Sequence, residues 1–280
     1  MIGNRQQATG NRQKTKRVFR WAKTILFFYV VTGIALYFLQ QRILLHPVAY
    51  QQDYVYNFTT PFKEINIPIN HHENFNIVQF FPKDSVRKGV VLYFHGNKIN
   101  ISHYAMFADN FTKSGYEVWM PDYPGFGKTT GELTEKKCYD EALLVYKLAI
   151  TKFKKDSIII YGKSFGTGIA AQLASVKDCR RLILETPYYS IPALLDYYAP
   201  IYPTSYMSKF KLPVNEYLKE VTVPVTIFHG TDDEIIPYSV SEKLKDVLKP
   251  ADEYITLEKG KHNNLNDFKL FHQKLDSLLR

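Results

Sequence analysis

Cysteine is scarce: the 280-residue chain has two, Cys138 and Cys179, and no C-x-x-C pair. That excludes a disulfide-stapled scaffold, and neither cysteine has the spacing of a structural zinc site. Both fall in or beside expected helices and read as unpaired thiols, so no metal is expected. Acidic residues are absent from residues 1–50, which hold eight bases: Arg5, Arg12, Lys14, Lys16, Arg17, Arg20, Lys23 and Arg42. The other 28 Lys or Arg (36 − 8) face 27 acids, so the net charge of +9 belongs to the N-terminus. It gives no reason to expect a nucleic-acid partner. A phosphate-binding loop also lacks its first glycine. Ser157 stands five positions before Gly162-Lys163-Ser164, and Asp122 five before Gly127-Lys128-Thr129, which excludes a P-loop. No cofactor is expected, and there is no internal repeat.

Long hydrophobic runs are also missing, with one exception. Residues 24–39 are uncharged and mostly apolar. As a helix they reach about 24 Å against a hydrocarbon core of roughly 30 Å. Trp21 and Tyr37 suit the interface, and Lys23 and Arg42 can snorkel beyond it. A cleaved signal peptide needs a small-x-small site after the run, and Gln40-Gln41-Arg42-Ile43-Leu44 offers none. Seven bases precede the run and only Arg42 follows it closely. The expectation is a basic cytoplasmic segment at 1–23 and a single membrane anchor at 24–42 in the lipid bilayer. The rest would lie on the far, periplasmic or otherwise extracytoplasmic, side.

With 45% apolar residues the remainder can bury a large core. Residues 43–61 read as a polar connector punctuated by proline, and 62–280 as one domain. Strands are expected at 62–69, 75–81, 89–94, 116–120, 157–161, 181–184, 223–228 and 253–257. Helices are expected at 102–113, 135–153, 165–176, 240–248 and 265–279. The first two strands have no helix between them and predict a hairpin. The later alternation predicts an α/β fold, a mostly parallel sheet with helices on both faces. Residues 186–220 are rich in Tyr and Pro and predict a small cap.

Gly162-Lys163-Ser164-Phe165-Gly166 follows an expected strand and opens an expected helix. A serine at the tip of such a turn needs small neighbours two residues either side, so this reads as a nucleophile elbow. A serine needs a base, and the base an orienting acid. Order and placement after strands select Asp233 over Asp232 as the acid and His262 as the base. His229 precedes the acid and reads as packing at a strand end. Oxyanion donors are expected from the N–H of Phe165 and from the loop His95-Gly96-Asn97, with Asn97 the second donor. Tyr188 and Tyr189 are expected to bind substrate, with Tyr197, Tyr198 and Tyr202 along an apolar groove.

These motifs resemble the membrane-anchored, serine aminopeptidase-like branch of the α/β-hydrolases over about residues 36–280. They are His95-Gly96-Asn97 with Asn100-Ile101-Ser102, Asp122-Tyr123-Pro124-Gly125-Phe126-Gly127, Gly162 to Gly166, His229-Gly230-Thr231-Asp232-Asp233-Glu234 and His262-Asn263. The resemblance implies an eight-stranded sheet, one N-terminal anchor, and Ser164, Asp233 and His262 as a triad. Pro124 stands where the family usually has Arg, and Lys163 and Lys128 are the nearest cationic stand-ins. The expected activity is a serine hydrolase cleaving an acyl ester or thioester. The alternatives are a peptidase acting on short peptides and a non-catalytic anchored binding domain.

Overall fold

The computed structural model describes residues 3–84 and 87–280, with side chains from residue 16 onward in the first helix. That helix, α1, runs Gly3–Leu44, so the basic segment is continuous with the apolar run. The 29 residues Lys16–Leu44 are long and apolar enough to cross a membrane. They extend about 44 Å, which removes the shortfall of the apolar run alone. Ile25, Leu26, Phe27 and Phe28 are all exposed.

Leu45–Arg280 is a separate compact unit. Its sheet consists of β1 (Phe62–Pro68), β2 (Asn74–Phe80), β3 (Gly89–Phe94), β4 (Tyr116–Pro121), β5 (Ile158–Lys163), β6 (Arg181–Glu185), β7 (Val225–Gly230) and β8 (Glu253–Leu257). The order across the sheet is β8-β7-β6-β5-β3-β4-β2-β1. β2 runs antiparallel to both neighbours and every other pairing is parallel. The central strands β3 to β7 are buried along almost their whole length, as a sheet covered on both faces requires. On one face Val91, Tyr93, Ile159, Tyr161 and Ile183 pack with Ile101, Phe111, Phe271 and Leu275. On the other lie α2 (Glu135–Ala149) and α3 (Gly166–Val176). The remaining longer helices are α4 (Ile191–Tyr198), α5 (Val214–Glu220) and α6 (Lys269–Leu278).

Two expectations are corrected here. Residues 45–61 are part of the compact unit and not a connector. His46–Pro47 pairs with Lys98–Ile99, and Tyr56 and Phe58 stack with ring centroids 5.3 Å apart. Phe58 in turn packs on Phe62 and Phe80. The helix expected at 102–113 is instead an α turn, a 3-10 segment at Ala105–Ala108 and a second α turn. In the expected cap, α5 packs against α3 and so covers the sheet.

Glu141 on α2 is buried, and neither carboxylate oxygen has a partner among the described residues. Burial pushes its carboxyl from 4.5 up to about 8. The folded state therefore holds a proton that the unfolded chain releases, and stability falls as pH rises between those two values. Thermal melts should show Glu141→Gln matching the wild type at pH 5 and exceeding it by a few degrees at pH 8.5. Parallel melting curves across that range would refute the assignment.

Candidate active site

β5 ends at Lys163 and α3 begins at Gly166, leaving two residues for a sharp reversal. Ser164 takes φ +50°, a left-handed conformation that non-glycine residues adopt only when their surroundings enforce it. The Ser164 N–H donates to the Glu185 carbonyl at 2.9 Å, and the Ser164 carbonyl accepts from the Thr167 N–H at 2.9 Å. The Thr167 hydroxyl donates to that same carbonyl at 2.6 Å. The glycines are required by close approach: a Cβ on Gly162 would lie 2.6 Å from the Gly166 carbonyl oxygen. One on Gly166 would lie 2.1 Å from that of Phe94.

The fold brings Ser164, His262 and Asp233 together from loops at the C-terminal ends of β5, β8 and β7. His262 Nε2 lies 2.9 Å from Ser164 Oγ. His262 Nδ1 lies 2.9 Å from Asp233 Oδ2 and 3.1 Å from Oδ1. All three residues are buried, between 5% and 7% exposed. Asp232 is exposed and does not enter the site. Asp233 Oδ1 also accepts from the N–H groups of Ile235 and Ile236 at 2.9 and 2.8 Å. Burial pushes the Asp233 carboxyl up, but His262, His229 and the Ile236 N–H outweigh it and hold it below 3.8. It therefore stays ionised at neutral pH, so the His262 Nδ1–H donates to it and Nε2 is free to accept the serine proton. The acid and base loops are braced together: the Asp232 N–H donates to the Gly260 carbonyl at 2.9 Å, and the Lys259 N–H to Thr231 Oγ1 at 2.7 Å. His229 is buried, with Nε2 2.9 Å from the Ile236 carbonyl, and burial lowers its basicity.

The loop after β3 runs alongside the nucleophile, since a Cβ on Gly96 would lie 3.5 Å from Ser164 Cβ. Sequence reasoning missed what holds this loop. His95 is fully buried, with Nδ1 2.7 Å from the Gly96 carbonyl and Nε2 3.1 Å from Asp122 Oδ1. A carbonyl only accepts, so Nδ1 carries a proton, and a second proton lies between Nε2 and Asp122. Asp122 Oδ1 also accepts from the Ile101 N–H at 2.9 Å. Burial raises the Asp122 carboxyl despite these partners. Because the peptide is planar and trans, pinning the Gly96 carbonyl to the ring fixes the Asn97 N–H on the opposite side. The only sequence signal was that both residues sit just after strands. Phe165 N-caps α3, and its N–H is among the first-turn donors a helix cannot satisfy internally.

Burial overturns the expectations for Tyr188, Lys163 and Lys128. Tyr188 cannot line a groove: it is 1% exposed and its hydroxyl donates to the Phe165 carbonyl at 2.9 Å, beneath the elbow. Tyr189 is half-buried, and its carbonyl accepts from the Asn215 N–H. Lys163 and Lys128 do not replace the family's arginine, because both are buried in ion pairs, with Glu185 and Glu64. The Tyr198 hydroxyl donates to the carbonyls of Glu234 and Ile235 at 3.2 and 3.0 Å, in the loop that carries Asp233. Both cysteines are buried and unpaired, and burial pushes the Cys179 thiol up to about 12. Among the described residues no cluster of His, Cys, Asp and Glu could hold a metal.

This sheet order, with an elbow serine after the fifth strand and its partners after the seventh and eighth, defines a class. The chain belongs to the α/β-hydrolase superfamily. A family profile described as serine aminopeptidase, S33, matches residues 85–210. Alpha/beta hydrolase domain-containing protein 17C of Xenopus tropicalis is 30% identical over 191 residues, 67% of this chain and 59% of that protein. The Homo sapiens protein of the same name is 28% identical, over 67% of this chain and 56% of its own length. The match thus spans under two thirds of these relatives. Among solved structures, Est1E from Butyrivibrio proteoclasticus with ferulic acid bound superposes with a TM-score of 0.64 at 19% identity. That alignment covers 77% of this chain and 97% of that one. The Pyrococcus furiosus esterase Pf2001 gives 0.64 at 18% identity, over 84% and 97%.

Proposed function

We propose that the chain is a membrane-anchored serine hydrolase that cleaves an acyl ester or thioester. The observation that carries this reading is the unbroken relay of Ser164 Oγ, His262 and Asp233, each step 2.9 Å, at a strained elbow. Ser164 Oγ attacks the acyl carbonyl and its proton passes to His262 Nε2. The imidazolium gives that proton to the departing alcohol or thiol, and the acyl group stays on the serine. Water, deprotonated by the same nitrogen, then releases the acid. The N–H groups of Phe165 and Asn97 hold the oxyanion. Tyr197, Tyr198, Ile201 and Tyr206 leave an apolar, exposed face on the cap, which suits an acyl chain better than a short peptide. Of the neighbours in fold, Est1E was solved with ferulic acid bound and Pf2001 is named an esterase. α1 serves as the anchor, with the basic end cytoplasmic and the hydrolase unit on the far side.

The full-length chain in detergent should take a fluorophosphonate label on Ser164 and turn over p-nitrophenyl esters, with an optimum in chain length. Turnover of an aminoacyl p-nitroanilide alone would favour a peptidase instead, the reading that the matched serine aminopeptidase profile supports. A folded chain that neither labels nor turns over any substrate would favour a binding domain. In sealed membranes, protease digestion from the cytoplasmic side should leave the hydrolase unit intact. Asp233→Asn should keep the fold and lower kcat about 10⁴-fold, because the amide no longer holds the imidazole in its working tautomer.

A further inference from the structure

Beside the nucleophile lies a buried ionic cluster that the relay does not use. Lys163, one residue before Ser164, is the direct register partner of Glu185 on β6. Its ammonium bonds one Glu185 carboxylate oxygen, and the Tyr161 hydroxyl bonds the other. The two charged side chains are 4% and 1% exposed. Lys163 Nζ lies 5.4 Å from the centre of the Phe107 ring, and Tyr161 stacks on Tyr93 at 4.8 Å. Neither charge reaches solvent, so the pair recognises no ligand.

Two desolvated charges are a poor way to stabilise a core, and apolar residues of similar volume are often as good or better. What the pair does supply is direction. Glu185 grips the elbow twice: its carbonyl accepts the Ser164 N–H at 2.9 Å and its carboxylate ties down Lys163. The second of the two residues held this way, Ser164, is the one at φ +50°. Thr186, on the other side of Glu185, is also left-handed at φ +51°, and its N–H is tied to the Phe228 carbonyl at 2.8 Å. A left-handed non-glycine residue persists only when its surroundings over-determine it.

We propose that Glu185 and Lys163 are positioning residues: their ion pair, completed by Tyr161, fixes the strained elbow so that Ser164 Oγ meets His262. This rests on the serine hydrolase reading. The test uses the full-length chain in detergent and four proteins: wild type, Glu185→Gln, Lys163→Met and the double replacement Lys163→Met with Glu185→Leu. For each, kcat and KM on a p-nitrophenyl ester, the rate of fluorophosphonate labelling and Tm are measured. The single variants should lose about 10- to 100-fold in kcat and labelling rate, the scale of a displacement near 1 Å, with KM within about twofold. The double variant, free of any unpaired buried charge, should regain Tm and keep the loss in kcat. A double variant that regains kcat together with Tm overturns the proposal, because the pair then serves only the fold. So do single variants that fold and label at the wild-type rate. If a single variant does not fold, the double variant alone decides. A folded wild type that takes no label overturns the hydrolase reading and this proposal with it, a pattern distinct from a labelled wild type with unaffected variants.

Discussion

Ser164→Ala should abolish ester turnover, with kcat down by about 10⁴- to 10⁶-fold and the fold intact. The alanine loses one buried hydrogen bond, to His262 Nε2 at 2.9 Å. It keeps the backbone bonds from Ser164 to Glu185 and Thr167. Alanine is no more strained than serine at φ +50°, so Tm should shift by no more than a few degrees. Whatever rate remains belongs to the oxyanion donors, which can still polarise a carbonyl for direct attack by water. His262→Ala should lose about as much. The double variant should be no slower than either single one, because nucleophile and base act as a unit. Additive losses would show that His262 acts on something other than Ser164. A Ser164→Ala protein that keeps a tenth of the wild-type rate would put the nucleophile elsewhere.

The candidate site was legible because Ser164, Asp233 and His262 each sit in the loop after a strand whose composition marked it. Ile158 to Tyr161, Val225 to Phe228 and Tyr254 to Leu257 could be placed from β-branched and aromatic content alone. Loops after parallel strands then gather at one edge whatever their length. What the pattern could not give was orientation after a reversal. Tyr188 was expected in the groove, yet it turns beneath the elbow because Thr186 leaves β6 at φ +51°. Threonine carries no signal for that conformation. Lys163 looked like an exposed cation because lysine is seldom buried. Its partner lies 22 residues away on the neighbouring strand, a pairing fixed by register and not by local sequence. The same holds for His95 and Asp122, 27 residues apart. Residues 45–61 read as polar and proline-marked, yet their aromatic residues, spaced irregularly, find one shared cluster with Phe62 and Phe80.

Gly166→Ala should lower kcat by about 10²-fold or more, from a single added methyl. In a helix the exchange ordinarily gains about 1 kcal/mol. Here the new Cβ would lie 2.1 Å from the Phe94 carbonyl oxygen, 2.5 Å from its carbon and 2.6 Å from the His95 carbonyl oxygen. All three are backbone atoms at the end of β3, and none can rotate away. The chain must separate the elbow from the loop that carries Gly96 and Asn97. Overpacking of this kind costs about 1–3 kcal/mol, which outweighs the helical gain. Displacing the serine from its oxyanion donors by about 1 Å should cost a further 10²-fold or more in kcat. Gly168→Ala is the control two residues along the same helix. Its Cβ would meet side-chain atoms only, the Tyr188 hydroxyl at 2.5 Å and Leu212 Cβ at 2.8 Å. That variant should lose stability to a similar degree and keep far more of its labelling rate. Melting temperature and fluorophosphonate labelling, measured on both, separate the two effects. Equal labelling at matched stability would mean that contact between the elbow and β3 supports the core and does not set the geometry of the reaction.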